Sequence, residues 1–185
     1  MNAAELLKKY QVGIRDFQRI DLSGAMLQNS DLVQVDFTQA ILTEADLTGA
    51  NLSQAVFYQA SLNLTNLSQA NLTQANLSSA SLKSALLYKA SLSKAKLEKA
   101  DFSKAILKRG FLRAANLKQA KLVSVDLSQA NLIDADLSGA DLTKANLDRA
   151  FLQGANLFQA TLEGVDLEQA VLTGAIMPDG KFFAG

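Results

Sequence analysis

The chain has 185 residues, 18 basic and 18 acidic, with no Cys, no His and no Trp. Those counts exclude thiol nucleophiles, disulfides, histidine general bases and the usual zinc ligands, and 49% apolar residues exclude compositional disorder. No apolar run approaches the roughly 18 residues of a membrane span, and no apolar signal core opens the chain, which points to a cytoplasmic protein.

Residues 1–14 are expected to form a cap. Asn2 followed by Glu5 fits a capping box, Leu6, Leu7 and Tyr10 give one apolar face, and Gly13 fits a helix stop. A short helix covering an exposed backbone edge suits this length better than a membrane or partner helix.

Residues 15–177 are a repeat. From Leu22 to Leu172 every fifth residue is Leu or Phe, 31 positions without an insertion, of which 28 are Leu. Two residues earlier the slot is Ala in 24 of 31, and the residue directly before the Leu is Asp or Asn in 17. The unit reads A-(D/N)-L-x-x. A helix would rotate each successive Leu by about 140° and smear the stripe over every face. A flat strand fails too, because five is odd and alternation has period two. Only a chain that turns a corner in every unit keeps each Leu inside. Six of the seven Gly from Gly24 to Gly174 stand in the second position after the Leu, the slot where a type II turn needs positive φ.

Phe17, Phe37 and Phe57 recur every 20 residues in the inward slot, as Leu86 and Ile106 do in the slot before it. Four units per coil result. The expected fold is an all-β solenoid: a four-sided β-helix of about eight coils, roughly 35–40 Å long at about 4.8 Å per coil. Phe17, Phe37, Phe57, Leu97, Phe102 and Leu137 belong to its interior. The Asp and Asn side chains suit hydrogen bonds to turn backbone rather than catalysis or metal binding.

Charge is segregated along the repeat. Residues 1–82 carry net −3, residues 83–121 net +9 and residues 122–185 net −6. Lys89, Lys94, Lys99, Lys104 and Arg109 stand at steps of five in an outward slot, so they form a girdle rather than a stripe. A duplex needs several cations along one surface, which a girdle divides among four. Outward Tyr58, Tyr88 and Phe158 complete the candidate protein-binding surface; Phe111 and Phe151 lie 40 residues apart, on one side. Beyond the repeat, residues 178–185 read as a turn at Pro178-Asp179-Gly180 and a tail in which Phe182 and Phe183 either fold over the last coil or contact a second copy.

The unit resembles that of the pentapeptide-repeat family, over residues 15–177. Tyr10-Gln11-Val12-Gly13-Ile14-Arg15-Asp16-Phe17 and Gly174-Ala175-Ile176-Met177-Pro178-Asp179-Gly180 resemble the opening and closing motifs of cyanobacterial members, including an inhibitor of heterocyst differentiation. The resemblance implies a right-handed quadrilateral β-helix. The expected function is a non-enzymatic interaction scaffold, in its concrete form a regulator that binds another protein. Two alternatives stand beside it: a DNA mimic that inhibits or protects a type II topoisomerase, and nucleic-acid binding through residues 83–121. A DNA mimic calls for a broadly acidic surface, Phe-rich interior and dimerising C-terminus, and this chain departs on each count. No cofactor, metal or small-molecule substrate is expected. The partner is another protein rather than a membrane or nucleic acid, with the chain monomeric or weakly dimeric through its C-terminal end.

Overall fold

The computed structural model describes residues 1–183; Ala184 and Gly185, the last two residues of the tail, lie outside the described residues. The first element is α1 (Ala3–Gln11). The Asn2 side-chain oxygen accepts a hydrogen bond from the Glu5 amide at 2.9 Å. At the other end Gly13 has φ +95°, its amide donates to the Tyr10 carbonyl at 3.0 Å, and the Ile14 amide donates to the Lys9 carbonyl at 3.2 Å. These two bonds make a Schellman stop. Leu6 is fully buried, with Ala3, Leu7 and Tyr10 packed on the same core, so α1 closes the N-terminal end. Tyr10 anchors it: the hydroxyl donates to the Val33 carbonyl at 3.0 Å, and the Arg15 guanidinium lies 3.6 Å from the ring centroid.

From Asp16 the chain winds in a register of 20. Parallel bridges join Asp16 to Asp36, Asp36 to Val56, and so on to Asn156 with Ile176, and the other three sides keep the same spacing. We number the sides by their inward residues. Phe17, Phe37, Phe57 and Leu97 lie on the first side, Phe102 on the second, Leu87 and Leu107 on the third, and Leu112 and Leu152 on the fourth. Each corner takes the number of the side it follows. A side is so short that each rung is one bridged residue rather than an extended strand.

The five amides of a unit account for its consensus. In residues 45–49 the Ala45 amide closes the preceding turn on the Leu42 carbonyl at 3.0 Å. Asp46 donates back to Ala25 of the previous coil at 2.9 Å; Leu47 and Gly49 donate forward to Asn66 (2.7 Å) and Ser68 (2.9 Å) of the next. Only the Thr48 amide has no backbone partner, and the Asp46 carboxylate takes it at 2.9 Å. Sixteen of the seventeen Asp or Asn in this slot do the same. The exception, Asp31, accepts from the Asn51 side chain instead. The acidic or amide residue before the Leu thus fills the one gap in the backbone hydrogen bonding.

Inside, the Leu or Phe and the Ala of nearly every unit are fully buried, including Phe37, Phe57, Leu97, Phe102 and Leu137, with Phe17 almost so. Phe17, Phe37 and Phe57 stack along the axis with ring centroids 6.1 and 5.5 Å apart. Thr65, in an Ala slot, satisfies its buried hydroxyl by donating to the Leu42 carbonyl at 2.8 Å. Apart from Gln169, the second position after the Leu or Phe has positive φ in glycine and non-glycine units alike; 25 non-glycine residues from Arg19 to Gln159 hold φ between 54° and 61°.

The C-terminal end is less regular. On the third side the 20-residue register would join Asn146 to Asp166, but no bridge forms. Among the described residues the Leu147 and Arg149 amides make none of the forward bonds their counterparts make. A cleft of about 230 Å³ opens there, lined by Lys144, Asn146, Asp148, Gly164, Asp166 and Gln169. The tail then turns back: Met177 donates to Lys181 at 2.7 Å, Ile176 pairs antiparallel with Phe182, and the Phe183 amide donates to the Ala175 carbonyl at 2.8 Å. The backbone therefore folds over the last coil, while the Phe182 side chain stays 71% exposed.

Candidate functional site

The outward slots decide which candidate residues can act together. Lys89, Lys94, Lys99 and Lys104 occupy the third, fourth, first and second corners in turn, and Arg109 returns to the third. Each has positive φ, which fixes where its side chain leaves the backbone. None of the five makes an ion pair among the described residues, whereas Lys83 pairs with Asp101 (3.4 Å), Arg113 with Asp134 (3.5 Å) and Lys118 with Asp136 (3.2 Å). Burial pushes the Asp101 carboxyl up, but the Ser103 hydroxyl and amide and then Lys83 outweigh it and hold it below the usual 3.8. Asp101 and Asp136 already serve the turns as well as the cations beside them, and Asp134 serves Arg113.

The aromatic candidates separate. Tyr58 and Phe158 share the first corner, five coils apart, which is about 24 Å at the spacing of paired backbones. Both remain exposed at one edge, but Phe158 lies against the C-terminal hairpin: a Cβ placed on Gly180 would meet its ring at 3.4 Å. Tyr88 stands apart from them on the third corner, half-buried. There the Arg109 guanidinium donates to the Tyr88 hydroxyl at 3.3 Å, and its Nε donates to Gln129 at 2.8 Å. The Lys89 ammonium lies 5.3 Å from the Tyr88 ring centroid. The Arg109 hydrogen bond, with the two cationic charges, draws the Tyr88 hydroxyl below its usual 10.0.

Of the eight surface candidates, the fold thus brings Tyr88, Lys89 and Arg109 into one cluster and leaves the rest apart. It also adds three residues outside that set. Leu86 and Ile106 are bridged neighbours on the third side, 41% and 40% exposed, and Phe111, 49% exposed, lies on the fourth. All three replace Asp or Asn on a flat side, and that substitution is the sequence signal that marks them. Lys108 lies beside Arg109 on the same corner. Phe111 and Phe151 do share a side, joined through Asn131.

Among the described residues no group of three or more His, Cys, Asp or Glu could hold a metal ion, and no helix is long and apolar enough to cross a membrane. A family model described as pentapeptide repeats (8 copies) matches residues 16–54, 50–87, 70–109, 111–149 and 150–182. Among solved structures the chain is similar to HetL, a pentapeptide repeat protein involved in heterocyst differentiation regulation, from the cyanobacterium Nostoc sp. strain PCC 7120. Identity is 36% over 99% of this chain and 100% of that one, with a TM-score of 0.59. QnrB1, a plasmid-mediated fluoroquinolone resistance protein, gives a TM-score of 0.64 at 17% identity, covering 89% and 92% of the two chains, a likeness of fold alone. No curated protein sequence matches. These structural neighbours are right-handed quadrilateral β-helices. With the same five-residue unit over nearly its whole length, this chain belongs to the pentapeptide-repeat family.

Proposed function

We propose that the chain is a non-enzymatic docking rod, a right-handed quadrilateral β-helix of about eight coils that regulates another protein by binding it. The observation that carries this reading is the end-to-end likeness to HetL, which spans the cap, the repeat and the tail. The sides support it: four short faces, each held by ladders in a fixed register, present outward residues at set positions. Sixteen Asp or Asn side chains are engaged by turn amides and so serve the fold. The DNA-mimic alternative has the +9 band of residues 83–121 against it.

Crosslinking followed by mass spectrometry in native host cells tests the reading. A specific protein should be enriched on the wild-type chain and reduced when Lys89, Lys94 and Lys99 are all changed to Glu. Recovery of the same abundant background proteins by both chains would overturn it.

A further inference from the structure

The girdle is electrostatically uneven. On the third corner Lys89, Lys108 and Arg109 stand on adjacent coils, joined by the Lys89 amide donating to the Lys108 carbonyl at 3.1 Å. None of the three has an ion-pair partner among the described residues. Arg109 is oriented from both sides, by Tyr88 and Gln129, so its guanidinium is held in place before any ligand arrives. Apolar ground flanks this ridge on both sides: Leu86 and Ile106 on the third side, Phe111 on the fourth. Lys94, Lys99 and Lys104 each face one cation on the adjacent coil of their own corner, Arg113, Lys118 and Lys83 in turn, and each of those is already paired with an Asp.

Resting on the docking-rod reading, we infer that the third corner binds an acidic peptide segment of a partner protein. Its carboxylates would meet Lys89, Lys108 and Arg109, and an apolar side chain a few residues away would lie on Leu86 and Ile106. Charge complementarity selects the anionic partner, and the aliphatic pair distinguishes a peptide from a nucleic acid. A phosphate backbone has no use for Leu86 and Ile106, and cations confined to two coils span only about 5 Å, too little to follow a duplex.

The test selects phage-displayed random peptides of about twelve residues on the full-length chain, then measures the binding of winning peptides by fluorescence anisotropy. Two charge-matched variants are compared, K89E/K108E/R109E and K94E/K99E/K104E, each checked for a wild-type circular dichroism spectrum and melting curve. A third variant, L86S/I106S, probes the apolar anchor. Selected peptides should combine Asp or Glu with Leu, Ile or Phe and should bind more weakly as salt rises. Binding should fall about tenfold or more on K89E/K108E/R109E, fall on L86S/I106S and persist on K94E/K99E/K104E. Uncharged or basic winners, equal loss on both charge variants, competition by a short DNA duplex as effective as by peptide, or self-association removed by K89E/K108E/R109E would each overturn the inference. Peptides that map to another corner would sink this site and leave the docking rod standing. Failure to select any peptide, together with failure of the crosslinking experiment, would remove both.

Discussion

Gln74 offers a test in which the sign of an effect is enough to decide. It stands in the second position after Leu72 with φ 60°, exposed, its amide donating to the Ser93 carbonyl at 3.0 Å. Its side chain makes no hydrogen bond among the described residues, so a substitution there changes backbone preference and little else. A non-glycine residue in this region costs roughly 1–2 kcal/mol. Gln74→Gly removes that cost and returns about 0.5–1 kcal/mol in chain entropy, for a net gain of up to about 1.5 kcal/mol. Gln74→Val keeps the cost and adds about 1 kcal/mol, because a branched Cβ crowds the left-handed backbone and is stiff at χ1. The expected order of stability is Gly, then Gln, then Val. In an ordinary strand the order of Gly and Val is reversed. Urea unfolding followed by far-ultraviolet circular dichroism gives the order. Hydrogen exchange of the surrounding rung localises it, since a repeat array need not unfold as one unit. A Val variant as stable as the Gly variant would refute the turn assignment.

Three further predictions concern the interior, the consensus and pH. Leu97→Ala empties a fully buried site and should cost about 2–5 kcal/mol, read as a lower urea midpoint; an unchanged midpoint would mean that the rod collapses to fill the space. Gly110→Ala restores the consensus residue yet should destabilise by about 1–3 kcal/mol, because the added Cβ would meet the Leu107 carbonyl oxygen at 2.8 Å; a raised melting temperature would contradict this. The Thr48 hydroxyl holds Asp46 below its usual 3.8, helped by the Thr48 amide and Gln28 and opposed by burial. A depressed folded pKa gives stability that is present above 3.8 and is lost as pH falls through the folded value. Asp46→Asn should therefore lose less stability than wild type between pH 5 and pH 2, and parallel pH profiles of the two urea midpoints would show that the contact contributes nothing.

Much of this molecule is legible in its sequence because one structural demand recurs in every unit. A period of five forces a corner, and Phe17, Phe37 and Phe57 mark the coil length, so their stacked rings lie where the spacing puts them. The capping helix is equally readable, since Asn2 and Gly13 each act within a few residues of themselves. The extent of the strained slot is harder to see. Glycine marks six units, yet Lys89, Gln74 and even Leu64 share the conformation, and the better signal is an absence: no Val, Ile or Thr occupies that slot from Arg19 to Gly174. The candidate surface is legible only in pieces. Steps of five reveal a girdle, but the meeting of Tyr88 with Arg109 spans 21 residues and needs the register of neighbouring coils. Phe158 reads as an exposed aromatic because its contact with Gly180 depends on how the tail turns back. The cleft beside Asp166 leaves no mark in a repeat that continues unbroken through it.

That cleft gives the rod a direction. One end is sealed by α1, whose buried Leu6 and anchored Tyr10 close the first coil, while the other has already let go of one side of its final rung. A stack in which each layer holds only its neighbours comes apart from its loosest layer. Unravelling should therefore travel from residues 161–183 toward the helix, one coil at a time. A protease or a pulling force would shorten the molecule progressively from that end, leaving truncated rods still capped at the N-terminus.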